Sequence, residues 1–316
     1  MEYRELGDTG ILVSRVCFGS LTLGPLCANL SLAEGRDLLL EAFNLGVTFI
    51  DSAEQYRTYP YIRAALDQSE VPIVVASKTY AHNDQEASWA IEDARIALGR
   101  ETLDIFLLHE VRDEEDWHSR SAVWQVLLDA KANGIIKAIG LSTHSAKVAA
   151  MAANIPEVDI IHPLLNLAGI GINDGGTDAM LSAIATAKAA GKGVYSMKAI
   201  AGGGLMHQAK EAICWAYQQP EVDAVAIGFK DRAELITDIG WLNGEEPAEA
   251  QEVALIDRNM TFDKEPSCHG CGLCIKRCST GALYLGDDNL VAWDKSKCLY
   301  CGYCIAACPW FCISFC

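Results

Sequence analysis

The chain is 316 residues long, 51% hydrophobic, and carries a formal net charge of −17. That length and composition support one large domain plus a small one and exclude a disordered chain. The acidic balance argues against a nucleic-acid partner, and no apolar run reaches the ~18 residues that a membrane span needs.

From the N-terminus, residues 3–14 alternate around Gly7, Asp8 and Gly10, which predicts a hairpin ahead of the first regular unit. Short apolar runs bounded by turn residues follow at 15–19, 47–51, 73–78, 103–109, 135–141, 159–161, 193–197 and 224–227. Each is a strand candidate. Between them, residues 32–45, 85–98, 122–133 and 178–190 repeat apolar positions at helical spacing. This α/β alternation, about 250 residues long, predicts a closed (β/α)8 TIM barrel. A doubly wound open sheet is the competing arrangement. It requires a GxGxxG turn after the first strand, where the chain has only Gly19 and Gly24.

In such barrels chemistry gathers where strands emerge at their C-terminal ends. The run VTFID ends at Asp51, with Tyr56 in the following loop; IVVASK ends at Lys78 and DIFLLH at His109. These four are expected to meet on one rim. A carbonyl that receives hydride develops negative charge on oxygen and needs an acid against it. Tyrosine, with an ordinary pKa of ~10, is a poor donor near neutrality, and an adjacent ammonium lowers that value. Lys78 is expected to supply that charge, Asp51 to orient Lys78, and His109 to hydrogen-bond the carbonyl.

At this point the chain resembles the aldo-keto reductase family over roughly residues 1–243. FIDSAEQY matches the segment that carries the family's Asp and catalytic Tyr, VVASK its Lys and DIFLLH its His. The resemblance assigns those roles to Asp51, Tyr56, Lys78 and His109. It further implies that Tyr195, in VYSMKAIAGG, stacks on a nicotinamide while the backbone from Ser196 through Met197 and Lys198 follows the pyrophosphate. The family holds the carboxamide with a Ser-Asn pair and a Gln, where this chain has Ser142, Thr143 and His162. Asn166 follows in the same loop, with a turn role as the alternative. Gly202, Gly203 and Gly204 and then Gly228 permit close backbone approach to phosphates. Lys230 and Arg232 are expected to grip the 2′-phosphate of NADP, with NAD as the alternative, and the Gly169–Gly176 loop to act as a lid.

The acidic stretch 243–252 around Pro247 reads as a connection, placing domains at 1–256 and 257–316. Ten of the thirteen cysteines lie in the second domain. Eight of them form two copies of C-x2-C-x2-C-x3-C offset by 30 residues, and the register carries Ala282 onto Cys312 and Leu283 onto Ile313. This spacing wraps cubane clusters in bacterial-type ferredoxins, where the fourth cysteine of each run serves the other cluster. One 4Fe-4S cluster is therefore expected on Cys268, Cys271, Cys274 and Cys308, and the second on Cys298, Cys301, Cys304 and Cys278. Structural zinc and a disulfide framework fit the interleaved runs less well. With no leader-like charged and apolar segment at Met1, the thiols are expected in a reducing cytoplasm.

Together these readings predict an oxidoreductase that interconverts a small-molecule carbonyl compound and its alcohol with NAD(P)(H), using Tyr56 as general acid or base. The clusters would relay electrons or dock a ferredoxin or other redox protein. A ferredoxin-fed reductase without free nicotinamide, and a non-catalytic electron carrier, are the alternatives.

Overall fold

The structure, a computed structural model, describes residues 1–316 except 204, 206–207, 249–259, 263–267, 279, 299–303, 305–306, 309–311 and 316. The proposed boundary at 256/257, Gly204 and the ligand candidate Cys301 lie outside the described residues.

The chain opens with a hairpin of β1 (Tyr3–Glu5) and β2 (Leu12–Ser14). Eight parallel strands then close on one another: β3 (Val16–Gly19), β4 (Phe49–Asp51), β5 (Val74–Thr79), β6 (Leu103–Leu108), β7 (Ile136–Thr143), β8 (Ile160–Pro163), β9 (Gly193–Met197) and β10 (Ala224–Ile227). The ladder runs in sequence order, with β10 returning to pair with β3. Helices α1 (Leu32–Asn44), α2 (Tyr59–Leu66), α3 (Asp84–Leu98), α4 (Glu114–Ser119), α5 (Ser121–Ala132), α6 (Ala146–Ala153), α7 (Gly176–Ala189), α8 (Ala209–Tyr217) and α9 (Arg232–Leu242) form the outer layer. Side-chain oxygens define several helix starts. Ser31 and Glu34 make a reciprocal capping box on α1, while Asn83 and Asp231 cap α3 and α9.

Alternation along each strand sorts side chains into two cores. Val16, Phe18, Ile50, Val75, Ile139 and Val194 face the helices in the large core. Cys17, Phe49, Ala76, Ile105, Leu107, Ala138, Ile160 and Tyr195 fill the barrel interior, together with Leu6 and Val13 from the hairpin. The expected hairpin therefore plugs one end of the barrel. Gly7, at φ +54°, lets the hairpin turn lie against β9; a Cβ there would sit 2.3 Å from the Gly191 carbonyl oxygen. Among the described residues no helix is long and apolar enough to cross a membrane.

The C-terminal unit contains β11 (Met260–Phe262), α10 (Leu273–Arg277), β12 (Leu283–Leu285), β13 (Val291–Trp293) and β14 (Ile313–Phe315). β11 pairs with β14 and β12 with β13, both antiparallel. The repeat read from the sequence extends to burial: Ala282 and Cys312 are both buried, as are Leu283 and Ile313. Leu21 and Leu26, from the loop after β3, pack into the same apolar cluster as Cys274, Leu283, Val291, Cys304 and Ile313, so the small unit rests on the barrel.

Candidate active site

Every tetrad residue on a strand is in phase with the barrel interior. Asp51 lies two positions beyond interior Phe49, Lys78 two beyond Ala76, and His109 two beyond Leu107. The same phase carries Ser142 inward from Ala138 and His162 inward from Ile160. Period-two alternation thus directs all five into one end of the barrel.

Lys78, with 1% of its side chain exposed, donates to both Asp51 carboxylate oxygens at 2.8 Å and to the Ser52 carbonyl at 2.6 Å. Its Nζ lies 5.1 Å from the centre of the Tyr56 ring. The His109 ring stands edge-on to Tyr56 with centres 5.7 Å apart. The loop bearing Tyr56 is tied down by Glu54, which accepts from Tyr80 N–H at 2.7 Å and from Thr79 Oγ1 at 2.9 Å. Gly24 serves this loop rather than a phosphate turn: a Cβ there would lie 2.7 Å from the Tyr56 carbonyl oxygen.

The electrostatics correct one expectation. Burial first, and the Asp51 carboxylate second, push the Tyr56 phenol well above its ordinary pKa of 10 rather than below it. Lys78 does not reverse this, because Asp51 compensates its charge at hydrogen-bond distance. The resting phenol is therefore protonated. Burial, followed by the positive charge of Lys78, pushes His109 well below the ordinary imidazole value, so its ring is neutral. Its Nδ1 is buried with no hydrogen-bond partner among the described residues.

His109 is braced from behind by residues that the sequence did not single out. Arg120, fully buried, donates to the carbonyls of His109 (3.0 Å) and Glu110 (3.3 Å) and to Asp116 Oδ2 (2.7 Å). Glu110 itself sits at φ +50°, a left-handed conformation that is costly for a non-glycine residue. Its N–H donates to Ser142 Oγ at 2.8 Å. The pair with Asp116 is a local i,i+4 one, but nothing in the sequence ties Arg120 to His109, since it reaches the tetrad through backbone carbonyls ten and eleven residues away.

The nicotinamide candidates are largely engaged with the protein itself. The Tyr195 hydroxyl donates to Asp51 Oδ1 at 2.9 Å, and its ring is stacked on His162 at 3.8 Å, so the ring expected to carry a nicotinamide is 0% exposed. His162 Nδ1 lies 2.5 Å from the Tyr195 carbonyl and Nε2 3.7 Å from Asp51 Oδ1. Burial lowers its pKa to about 4 against the pull of Asp51, leaving it neutral. Thr143 Oγ1 donates to the Val111 carbonyl at 2.6 Å. Asn166 takes the turn role, holding Ile170 N–H and carbonyl at 3.0 and 2.8 Å. The glycine-rich loop beyond it is pinned by Asp174, which accepts from Ser145 Oγ and Ala146 N–H. Lys230 pairs with Glu234 at 3.0 Å and Arg232 with Glu41 at 3.1 Å. Gly228 lies against Thr22, where a Cβ would be 2.5 Å from its methyl group. Two features still suit a dinucleotide. Ser196 Oγ, after Tyr195 near the end of β9, is a buried hydroxyl without a partner among the described residues, and the Ser142 hydroxyl, accepting from Glu110, keeps its own proton to donate. Met197 and Lys198 follow at the strand end, the latter at φ +61°.

In the small unit, Cys268, Cys271, Cys274 and Cys308 line a single cavity, which is the crossed-over ligand set expected for one cluster. Cys312 borders it as well, donating its N–H to Cys308 Sγ. Burial, with neighbouring thiolates adding to it, pushes Cys274 up to about 11, a crowding that iron would relieve. No three of the described His, Cys, Asp or Glu side chains converge tightly enough for a single ion. Cys278, Cys298 and Cys304 share one apolar cluster, while Cys301 lies outside the described residues.

The sequence profile of the Aldo/keto reductase family matches residues 15–212, and that of a 4Fe-4S dicluster domain matches residues 260–309. The L-galactose dehydrogenase of Arabidopsis thaliana is 23% identical over 238 residues, covering 72% of this chain and 73% of that protein. The thiosulfate reductase electron transfer subunit PhsB of Salmonella typhi is 47% identical over 45 residues, 14% of this chain and 23% of the relative. The chain spans only 13–23% of the length of the iron–sulfur relatives it matches first. The structure of PA4992 from Pseudomonas aeruginosa superposes with a TM-score of 0.66 at 24% identity, covering 77% of this chain and 94% of that one, a likeness of fold.

Proposed function

The chain belongs to the aldo/keto reductase family, and from that premise we propose that it interconverts a carbonyl compound and its alcohol, with Tyr56 giving the oxygen its proton. The observation that carries this reading is the buried Asp51–Lys78 pair beneath the Tyr56 ring, with neutral His109 beside it.

A carbonyl seated between Tyr56 and His109 accepts a hydrogen bond from each. As hydride reaches its carbon, the phenol proton passes to the oxygen and a phenolate is left behind. Lys78 then stabilises that phenolate, so its charge acts on the product of proton transfer more than on the resting phenol. His109 Nδ1, without a partner among the described residues, is an atom that a bound substrate or ordered water would satisfy.

A nicotinamide dinucleotide, NADP or NAD, supplies the hydride when bound. Ser142, Ser196 and the strand end at Met197 and Lys198 would hold it, with Lys230 and Arg232 at its outer phosphate once freed from their acidic partners. The barrel, residues 1–256, performs the chemistry. Residues 257–316 would hold two 4Fe-4S clusters through their cysteines, which would supply one-electron exchange with a redox partner such as ferredoxin. A reducing cytoplasm suits the thiolate ligands.

A second reading has its own support: Thr143, His162 and Tyr195 are engaged internally where the family seats the nicotinamide. In that reading reduced ferredoxin feeds the barrel through the clusters. Anaerobic assay of reconstituted enzyme separates the two. Oxidation of NADPH or NADH by a panel of aldehydes supports the first, whereas turnover with reduced ferredoxin and none with either nicotinamide supports the second.

A further inference from the structure

The iron–sulfur unit contributes a side chain to the mouth of the barrel. Arg277 closes α10 next to Cys278, yet its guanidinium lies among barrel residues, with 18% of the side chain exposed. Its Nη2 donates to Glu110 Oε2, and its Cζ lies 5.8 Å from the centre of the Tyr80 ring. The Tyr80 hydroxyl donates to that same oxygen at 2.9 Å. Guanidinium and phenol thus converge on one carboxylate that is only 8% exposed, and the backbone of Glu110 is itself held by Ser142 and Arg120.

Tyr80 carries this contact to the tetrad in two ways. Its ring is stacked on His109, with centres 4.1 Å apart and planes 22° from parallel. Its N–H donates at 2.7 Å to Glu54, in the loop that bears Tyr56. His109 Nδ1 has no hydrogen-bond partner among the described residues, so no bond from that atom sets the tilt of the ring. Packing sets it instead: Tyr80 lies along the face of the imidazole and Tyr56 stands edge-on to it. Hydrogen-bond geometry at a reacting oxygen tolerates small displacements poorly. The far end of Tyr80, where its hydroxyl meets Glu110 and Arg277, therefore bears on the acid site.

We propose that Arg277 is a positioning residue for the acid site: through Glu110 the iron–sulfur unit fixes the Tyr80 phenol, and the Tyr80 ring fixes the plane of His109. The small unit then shapes the reaction centre directly, apart from any electrons that it exchanges. A plain clamp between the two units would secure the small unit and leave the His109 ring unmoved. That His109 meets a carbonyl rests on the proposed function above; the dependence of its ring on Arg277 does not.

The test uses the reconstituted full-length holoenzyme, with iron counts confirming intact clusters. In NMR spectra the His109 ring resonances, assigned by their loss in His109→Gln, are expected to be displaced by the ring current of Tyr80 and to move toward ordinary imidazole positions in Arg277→Ala. Glu110→Ala is expected to move them the same way. Lys276→Ala, which removes the exposed cation one position earlier on α10, is expected to leave them in place. In steady state with one aldehyde, Arg277→Ala and Glu110→Ala are each expected to lower kcat about tenfold or more with KM nearly unchanged. The double variant is expected to lose no more than either, because the two residues act through one contact. Arg277→Lys, which keeps the charge, is expected to recover part of kcat. Wild-type His109 resonances in iron-replete Arg277→Ala, a change confined to KM, or losses in kcat that multiply in the double variant overturn the proposal. If Arg277→Ala loses iron, Glu110→Ala decides, since it changes no residue of the iron–sulfur unit: moved resonances support the proposal and unmoved ones overturn it. Moved resonances in an enzyme that reduces no aldehyde would sink the carbonyl reading and leave the positioning role standing.

Discussion

Lys78 Nζ lies 2.8 Å from both carboxylate oxygens of Asp51 and 5.1 Å from the centre of the Tyr56 ring. The ammonium is thus matched by a carboxylate before it can act on the phenol, and burial controls the resting state of Tyr56. That relationship leaves the resting phenol protonated, the state that the proposed carbonyl reduction requires.

A pH profile follows from it. Burial and Asp51 push Tyr56 well above 10, and burial with Lys78 pushes His109 well below 6.5. Between about pH 6.5 and 10 the phenol stays protonated and the imidazole neutral. The kcat/KM for carbonyl reduction is expected to be flat across that range. A limb centred near pH 7, or a decline beginning below pH 9, in stopped-flow or steady-state data on the wild type would contradict the assignment of charge states.

The buried pair should reveal itself in stability. Asp51→Asn leaves the Lys78 ammonium without its carboxylate at 1% exposure, a loss expected to cost about 3–5 kcal/mol. Replacing both residues, as Asp51→Asn with Lys78→Met, is expected to recover part of that cost. Denaturant titration of the two variants checks the coupling.

Asp238 offers an independent check far from the proposed chemistry. Burial, with Glu234 adding to it, raises its pKa from 3.8 to about 8. Its folded form therefore holds the proton more tightly than the unfolded form. The associated stability is full below about pH 4 and is lost as pH rises through about 8. Asp238→Asn is expected to stabilise the protein by about 1–3 kcal/mol at pH 9 and to leave it nearly unchanged at pH 4. Thermal melts across that window measure it.

Cluster ligation gives a fourth prediction. Cys308→Ser removes a ligand from the cavity lined by Cys268, Cys271 and Cys274, so iron is expected to fall from about eight to about four per chain with the second cluster retained. Cys312→Ala, a residue bonded to Cys308 through its N–H, is expected to keep both clusters. Iron and sulfide assays on anaerobic protein distinguish the two variants.

Much of the barrel was legible in the sequence because its signals are local. The runs 193–197 and 224–227 coincide with β9 and β10 as read, and the remaining strands differ by at most a few residues at their ends. Asp51, Lys78 and His109 were legible for the same reason: each closes an apolar run in the interior phase. What the sequence withheld were relationships across the barrel. Tyr195 reaches Asp51 over 144 residues, and that bond, with the His162 stack, ties the expected cofactor platform to the tetrad. Proximity of Lys78 to Tyr56 was readable, but the outcome for the phenol depends on burial, which no motif encodes. Arg277 escaped because it stands inside a cysteine ladder and meets Glu110 only once the two units are folded together, 167 residues apart in sequence.

In the proposed reaction Tyr56 delivers the proton whichever reductant serves the barrel. Tyr56→Phe, prepared with full iron content, should be compared with wild type in anaerobic aldehyde reduction driven by NADPH and, separately, by reduced ferredoxin. The account predicts that whichever route supports wild-type turnover slows about a hundredfold or more in the variant. A variant that reduces the aldehyde at the wild-type rate by that route would contradict it.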